Sequence, residues 1–181
     1  MNKFFYLIII LMTMMLVCCN SSDPELVDRE AQEKTEALNR QYAPLMVGTW
    51  YYEKIEDKQR YFEQLTFHSD GTLTGERKWQ KRELVTIDGI QRYTDWENVD
   101  LSGTFSGTWS LKYCSPEGRT ETRRNCLLLE ARYDDERAYM AYSHVATFDY
   151  ASETTLRFQG LYVKDEDGWV SFQRGNAEPS F

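Results

Sequence analysis

The sequence predicts an all-β domain that follows one N-terminal helix, and three observations carry this prediction. From Met46 onward the chain consists of short segments rich in aromatic and β-branched residues, as is typical of strands. Asp-Gly pairs lie between apolar segments at residues 70–71 and 88–89, and recur at 167–168. Such pairs are the strongest short-range signal for a β-hairpin. Crossover helices between the strands are missing from the pattern, so a parallel α/β fold is excluded. The sequence therefore predicts eight to ten antiparallel strands in a barrel or a sandwich.

The first element is an apolar segment that is too short to span a bilayer. Residues 4–19 are apolar except for Thr13, and Lys3 precedes them. A membrane-spanning helix needs about 20 apolar residues. A basic start followed by about 7–15 apolar residues is typical of a secretory signal peptide. We therefore predict a signal peptide and an exported protein.

Two adjacent cysteines end this segment. The run Leu16-Val17-Cys18-Cys19 resembles the lipobox of bacterial lipoproteins, in which a small residue precedes the acylated cysteine. Cys19 fits the acylated position because Cys18 before it is small, whereas bulky Val17 would precede a modified Cys18. The resemblance implies a signal peptide over residues 1–18 and a lipid anchor at Cys19 in the outer membrane. Several acyl chains together anchor a protein stably. The alternative, a disulfide or a metal pair at these cysteines, is strained or lacks partners.

The segment that follows connects this anchor to the β-domain. Residues 20–25 resemble the acidic tail that marks some Gram-negative lipoproteins for the cell surface, although a flexible tether explains the same residues. Residues 24–42 predict a helix with Asp23 as cap and Pro24 in the first turn. Its apolar face is thin, so the helix either packs weakly or acts as a spacer, and we favour the spacer. Residues 19–44 thus form a lipidated tether and helix, and residues 45–181 form the β-domain.

The charge of the chain limits its partners. Its formal net charge is -8, and an acidic domain repels the phosphates of nucleic acid and of anionic lipid headgroups. We therefore expect no nucleic-acid partner and membrane contact through the lipid alone. We also expect a monomer.

Cys114 and Cys126 remain once the lipobox has been assigned. Both lie on strand-like segments around a polar loop, residues 115–125, and a cysteine pair in an exported domain is a disulfide candidate. Two free buried thiols are the alternative. Zinc is excluded because no histidine lies near the pair in sequence.

A repeated tripeptide indicates the architecture. Gly48-Thr49-Trp50 recurs as Gly107-Thr108-Trp109, and an LTF…DGT hairpin lies between them. This pattern resembles the lipocalin-like domains of bacterial lipoproteins over residues 45–174. The resemblance implies an up-and-down antiparallel barrel, in which Gly48 and Trp50 close one end and Arg174 packs over the indole. The stretch 79–102 departs from that pattern and is interpreted as an elongated hairpin.

The resemblance also implies that a small apolar or amphipathic ligand is bound inside the barrel without a cofactor. Aromatic side chains combine an apolar face with a polar group, which suits such a pocket. The candidate ligand contacts are Trp79, Tyr93, Trp96, Tyr139 and Tyr142. In the alternative, these residues fill the core or a sheet face, and a packed barrel docks an envelope protein or glycan through its outer surface.

The sequence contains no catalytic motif. His68 and His144 are distant in sequence, and the acidic runs 134–136 and 165–168 lack the spacing of a known calcium loop. Two carboxylates among Glu63, Glu83 and Glu130 could serve glycoside hydrolysis only if the fold brings them together. We therefore expect a non-enzymatic protein without a metal site.

Overall fold

The structure is a computed structural model, which describes residues 24–115, 122–135 and 137–181. The predicted signal peptide, the lipidation site Cys19 and the segment up to residue 23 lie outside the described residues, as does Glu136. No helix in the described ranges is long and apolar enough to cross a membrane.

One helix precedes eleven strands. They are α1 (Pro24–Met46), β1 (Gly48–Ile55), β2 (Gln59–Phe67), β3 (Thr72–Lys81), β4 (Leu84–Ile87), β5 (Ile90–Tyr93), β6 (Glu97–Asn98), β7 (Gly103–Cys114), β8 (Arg124–Tyr133), β9 (Met140–Ala151), β10 (Thr155–Gln159) and β11 (Trp169–Arg174). Strands β1–β3 and β7–β11 each pair antiparallel with their neighbours in chain order, and β1 also pairs with β11. The predicted up-and-down antiparallel barrel is thereby confirmed, with eight barrel strands.

The barrel has two different ends. The helix end carries α1, the start of β1 and the β2–β3 turn at residues 68–71. The hairpin end carries the β1–β2 turn at residues 56–58, the β4–β5 hairpin and the β10–β11 loop at residues 160–168. Because the strands alternate in direction, every second connection lies at the same end.

The stretch between β3 and β7 leaves the barrel as one elongated hairpin, as predicted for residues 79–102. Its two arms bond to each other from Trp79 and Val99, through Glu83 and Thr94, up to the Asp88-Gly89 turn, with one interruption near Arg82. Trp79 belongs to barrel strand β3, β4 and β5 pair only with each other, and β6 returns to pair with the end of β3. The β4–β5 turn was also predicted correctly. Asp88 and Gly89 both have positive φ, 54° and 79°, which is the geometry of a two-residue type I′ turn.

Helix α1 lies against the barrel and is fastened by polar side chains. Strand β7 extends past the β2–β3 turn, so one edge of its last residues lacks a strand partner. The Asn39 amide donates to the Leu111 carbonyl at 2.9 Å, and the Tyr113 amide donates to the Thr35 hydroxyl at 3.0 Å. These bonds satisfy backbone groups that a sheet edge would otherwise leave open. Leu38 is buried beneath them. The expected spacer is therefore a docked helix from Thr35 onward.

The segment after β11 crosses the outside of the barrel. The Gly175 amide donates to the Thr49 carbonyl, the Ala177 amide to the Gln64 side chain and the Ser180 amide to the Glu53 carboxylate. Phe62 is the cross-strand partner of Glu53. Strand alternation turns its side chain outward, yet it is only 2% exposed. The crossing segment thus covers a phenylalanine on the outer wall.

Candidate functional site

The helix end of the barrel is closed by Trp50. Its side chain is fully buried, and the Arg174 guanidinium carbon lies 4.5 Å from the centre of its ring system. The backbone of Gly48 has a φ of 132°, and a Cβ atom there would lie 3.0 Å from Nη1 of Arg174. Glycine at this position therefore leaves room for the guanidinium. The structure brings together the three residues that the resemblance assigned to barrel closure.

The side chains of Trp50 and Arg174 also bind the backbone carbonyls at the C-terminus of helix α1. The last carbonyls of a helix have no partner within the helix, and the last turn of α1 contains no basic residue. The Trp50 indole N–H donates to the Met46 carbonyl at 2.7 Å. The Arg174 guanidinium donates to the carbonyls of Leu45 and Val47. A cation at a helix C-terminus also interacts favourably with the helix dipole.

The second Gly-Thr-Trp has a related role. The Trp109 indole N–H donates to the His68 carbonyl at 3.0 Å, which ties β7 to the β2–β3 turn. Trp109 also packs edge-on against Phe67. Both repeats therefore place a tryptophan at the helix end, where its N–H bonds a backbone carbonyl.

A buried ion pair lies inside the barrel. Glu63 on β2 is opposite Arg77 on β3, and the two residues are 3% and 0% exposed. Arg77 contacts Oε1 of Glu63 twice, through Nη2 at 2.7 Å and through Nε at 3.0 Å. A buried charge is tolerated only when it is paired and its remaining hydrogen-bonding groups are satisfied. The sequence analysis named Glu63 only as a candidate hydrolytic carboxylate and did not predict its pairing with Arg77.

Three phenols complete the hydrogen bonds of the pair. Tyr61 donates to Oε2 of Glu63 at 2.8 Å and Tyr142 donates to Oε1 at 2.7 Å, while Arg77 donates to Tyr133 at 3.0 Å. Burial, and next the nearby Glu63 carboxylate, raise the pKa of Tyr61 and of Tyr142 well above the usual range. Both phenols therefore remain hydrogen-bond donors at any physiological pH. Glu63 and Arg77 with these phenols are called the buried polar cluster below.

A continuous series of aromatic ring contacts runs through the barrel interior at the level of this cluster, with one ring from each barrel strand and one from the β10–β11 loop. Consecutive ring centres lie within 6.4 Å of each other. The rings, in order of contact, are Phe158, Phe172, Tyr52, Tyr61, Trp79, Tyr162, Tyr142, Phe105 and Tyr133. The Arg77 guanidinium carbon lies 4.1 Å from the centre of the Tyr162 ring. At this level, side chains occupy the lumen. We call these nine rings the aromatic belt.

The five predicted ligand contacts do not form one site. Trp79 and Tyr142 belong to the aromatic belt. Tyr93 and Trp96 lie outside the barrel, where both contact Arg82. Tyr139 lies near the β8–β9 turn, packs against the Tyr133 ring and donates to the Asp100 carbonyl. The single aromatic pocket expected from the sequence is absent for these five residues, because they lie on opposite sides of the barrel wall.

The outer aromatics alternate with arginines. The Arg60 and Arg82 guanidinium carbons lie 3.9 Å and 4.3 Å from the centre of the Trp96 ring system, and Arg82 lies 4.0 Å from the centre of the Tyr93 ring. The two distances to Trp96 keep the two guanidinium carbons within about 8 Å of each other. Neither arginine has a carboxylate partner within the described ranges of the chain. Arg60, Trp96, Arg82 and Tyr93 are called the arginine–aromatic ladder.

Apolar side chains project beyond the ladder. Leu84, Ile87 and Ile90 of the hairpin are 40%, 46% and 63% exposed, and none of them belongs to the core. The hairpin reaches the barrel through its base, where the Arg82 amide donates to the Lys58 carbonyl. The hairpin and the ladder together are called the hairpin surface.

The candidates for catalysis and metal binding are dispersed. Glu63 is buried in the polar cluster, Glu83 is exposed at the base of the hairpin and Glu130 is exposed on the outer wall. Burial lowers the pKa of His144, whereas His68 is exposed in a turn. Asp135 and Asp167, from the two acidic runs, pair with Arg137 and Arg157. In the ranges that the structure describes, no group of three or more acidic, histidine or cysteine residues could hold a metal ion.

Cys114 and Cys126 are free thiols in the structure. They lie on paired strands, and the Cys126 Sγ donates to the Cys114 carbonyl at 3.3 Å. Burial, and next the adjacent Cys114, raise the pKa of Cys126 to about 12. The disulfide of the exported protein stays a prediction.

Comparisons with protein-family models, curated proteins and solved structures found no match to this chain.

Proposed function

We propose that this chain is a lipid-anchored, non-enzymatic protein of the outer membrane, which docks a protein partner through its hairpin surface. The observation that carries the proposal is the exposure of Leu84, Ile87 and Ile90 on a hairpin that stands away from the barrel. An isolated two-stranded hairpin is marginally stable in water. Ile87 and Ile90 are cross-strand partners on one face of the hairpin, and Leu84 lies on the other face with Tyr93. Apolar side chains exposed in this way favour aggregation unless a partner covers them.

The position of the hairpin relative to the proposed anchor supports this function. Helix α1 begins a few residues after Cys19, and its Asp28 lies 3.5 Å from Arg123, which follows the β7–β8 loop at the helix end. The hairpin lies at the other end of strands that have 8 to 12 residues. At about 3.3 Å per residue, the two ends are roughly 25–40 Å apart. The hairpin surface would thus point away from the anchoring membrane.

The chemistry of the hairpin surface indicates the kind of partner. Tryptophan, tyrosine and arginine are the residues that most often dominate the energy of protein interfaces. Arg60 and Arg82 present two neighbouring positive charges without an ion-pair partner in the described residues, so a carboxylate from a partner would neutralise them. The surface therefore fits a protein segment that carries apolar side chains flanked by carboxylates.

Photo-crosslinking in living cells tests the proposal. We expect a photoreactive residue at Ile90 to give one discrete protein adduct. The adduct should weaken in the Arg82→Ala background and at high salt, because screening and charge removal both reduce the attraction to carboxylates. The matched control is the same photoreactive residue at Tyr150, which is exposed on the barrel wall.

Equal adducts from Ile90 and Tyr150, or no adduct from Ile90, would contradict docking through the hairpin. An adduct that forms normally in the Arg82→Ala background would contradict the acidic character of the partner. Thermal unfolding of each variant, expected to match the parent chain, shows that the barrel itself is intact.

A second candidate function, the binding of a small apolar or amphipathic ligand, is supported by one observation. The indole N–H of Trp79 in the aromatic belt is buried and has no hydrogen-bond partner within the described part of the chain. Such a donor costs stability unless an acceptor reaches it. A ligand oxygen near the hairpin end would be one such acceptor.

Native mass spectrometry of the protein purified from membranes separates the two candidates. For a packed docking module, we expect the mass of the lipidated chain alone under gentle ionisation. A bound small molecule that is lost on denaturation would support the carrier instead. The Trp79→Phe variant, which lacks the unpaired N–H, should then retain less of that molecule.

A further inference from the structure

A polar groove opens on the outer wall where β3 changes partners. Strand β3 pairs with β7 up to Arg77, opposite Gly103, and with β6 from Gln80, opposite Asn98. Between these two pairings, the backbone of Trp79 bonds to Ser102 and to Val99 instead of to a strand. The interruption separates β6 from β7 and leaves a groove of about 430 Å³. Small-ligand sites typically have roughly 300–1,000 Å³.

The lining of the groove consists of hydrogen-bonding side chains and one aromatic ring. Its walls include Glu76, Lys78, Gln80, Asn98, Thr104 and Phe181. The five polar residues lie on strands β3, β6 and β7, and the even-numbered positions of β3 and β7 face away from the barrel interior. Phe181 reaches the groove from the segment that crosses the outer wall.

Much of the hydrogen-bonding capacity of this lining is open. The Gln80 amide N–H donates to the Asn98 oxygen at 3.1 Å. That bond leaves the Asn98 amide N–H groups and the Gln80 oxygen open, and the structure gives the Thr104 hydroxyl no partner within the described ranges. Lys78 pairs with Glu76 at 3.3 Å, which occupies one of its three N–H donors. Hydrogen-bond donors and acceptors therefore lie next to each other along the groove.

The position of the Phe181 ring is determined by the preceding residues. The Ser180 amide and hydroxyl both donate to Oε1 of Glu53, at 2.7 and 3.0 Å. Three residues further back, the Ala177 amide donates to the Gln64 side chain. The Arg60 guanidinium carbon lies 5.8 Å from the centre of the Phe181 ring. The ring is thus held beside the amides of Gln80 and Asn98.

Three classes of small ligand can be compared with this lining. A phosphate would meet the Glu76 carboxylate, and a purely apolar ligand would leave the open amides without partners. A sugar offers neighbouring hydroxyl groups that donate and accept, together with an apolar C–H face that packs on an aromatic ring. We propose that this groove binds a short neutral oligosaccharide, with Asn98, Gln80 and Thr104 bonding its hydroxyls and Phe181 packing against one sugar ring.

The test uses the full chain in detergent micelles with three disaccharides, cellobiose, maltose and chitobiose, followed by saturation-transfer NMR. We expect saturable binding of at least one disaccharide. Loss of a hydrogen bond or of the ring contact should weaken that binding about tenfold in Asn98→Ala and in Phe181→Ala. The matched control is Gln91→Ala, which removes an exposed amide from the hairpin, and we expect it to bind as the parent chain does.

Absence of saturable binding for all three disaccharides would overturn the proposal. Binding that persists unchanged in both Asn98→Ala and Phe181→Ala would also overturn it, because the sugar would then occupy another site. The proposal is independent of partner docking through the hairpin. Ile90→Ser, which alters the hairpin surface, is expected to leave sugar binding unchanged, and a loss of binding in that variant would place the sugar at the hairpin instead.

Discussion

Replacing Glu63 with glutamine is expected to lower the free energy of unfolding by about 3–5 kcal/mol, because it leaves a buried charge without its partner. Glutamine has nearly the same shape, but Tyr61 and Tyr142 donate to different carboxylate oxygens, and its single amide oxygen replaces only one of them. The substitution therefore removes the negative charge beside Arg77 and one hydrogen-bond acceptor with little change of volume. Arg77 stays charged in this variant, because a guanidinium does not release its proton in proteins. Urea unfolding followed by tryptophan fluorescence measures the effect as a shift of the midpoint at constant slope.

Two further variants make this prediction specific. Arg77→Met should cost less than Glu63→Gln, since a carboxyl group can lose its charge by taking up a proton. The double variant Glu63→Leu/Arg77→Met should recover most of the lost stability, because well-packed apolar residues often replace a buried ion pair without cost. Glu30→Gln breaks an exposed pair with Lys34 on α1 and should leave the midpoint unchanged. A double variant as unstable as the sum of its single variants would show that the two charges do not interact.

The buried polar cluster could have been found in the sequence, but only by following strand alternation through the charged residues. Apolar positions alternate along β2 at residues 61, 65 and 67 and along β3 at residues 73 and 79. Glu63 and Arg77 occupy the same inward series. Each of them is seven residues from Asp70, and the observed hairpin register, centred on that residue, places them opposite each other. Opposite charges at paired inward positions predict a buried ion pair, whereas composition alone suggests surface residues.

Local turn chemistry explains why the Asp88-Gly89 pair correctly predicted the β4–β5 hairpin. The Asp-Gly pair determines the turn type, and the turn type determines the register of four residues on each side. The same local information does not show whether a hairpin joins the barrel. That depends on β3 pairing with both β6 and β7, through contacts between residues that are 16 to 36 positions apart.

The five predicted ligand residues lie on both sides of the barrel wall for a similar reason. Each of the five residues is aromatic, but the side of the wall on which it lies depends on register and on where the chain leaves the barrel. Trp79 is the last core residue of β3, whereas Trp96 follows the β4–β5 hairpin and lies against Arg60 and Arg82. The aromatic content of the sequence thus did not distinguish the rings of the aromatic belt inside the barrel from those of the arginine–aromatic ladder outside it.

Comparison of the lumen with the outer surface favours docking of a protein partner over binding of a small ligand inside the barrel. In the lumen, the aromatic belt and the buried polar cluster satisfy one another, with Trp79 as the exception. On the outside, the ladder and the groove have open donors and rings that are exposed or partly exposed. Binding free energy comes from groups that lack partners in the free protein, and these groups lie mainly outside. Both proposed sites follow from the same insertion between β3 and β7.

Replacing Trp50 with alanine is expected to lower the free energy of unfolding by about 3–5 kcal/mol, the usual cost of removing a large buried ring. The indole is fully buried at the helix end and holds two other parts of the molecule. It supports the Arg174 guanidinium and binds the Met46 carbonyl. Its removal therefore leaves a cavity and releases the end of α1.

Two milder variants separate these contributions. Trp50→Phe keeps a ring beneath Arg174 but loses the N–H, and leaving the buried Met46 carbonyl unsatisfied should cost about 1–3 kcal/mol. Arg174→Met keeps the apolar stem and loses the bonds to Leu45 and Val47. Because these bonds satisfy the last carbonyls of the helix, amide hydrogen exchange in the last turn of α1 should accelerate in Arg174→Met.

A double-mutant cycle between Trp50 and Arg174 then measures their direct interaction. A guanidinium over an indole is worth about 0.5–2 kcal/mol depending on desolvation, so the coupling energy should lie in that range. The control is Arg157→Met, because the Arg157 guanidinium carbon lies 5.5 Å from the centre of the Trp169 ring system, and Arg157 pairs with Asp149 and Asp167 and does not touch α1. Unchanged exchange in the last turn of α1 in Arg174→Met, or a coupling near zero, would show that the indole closes the barrel by packing alone.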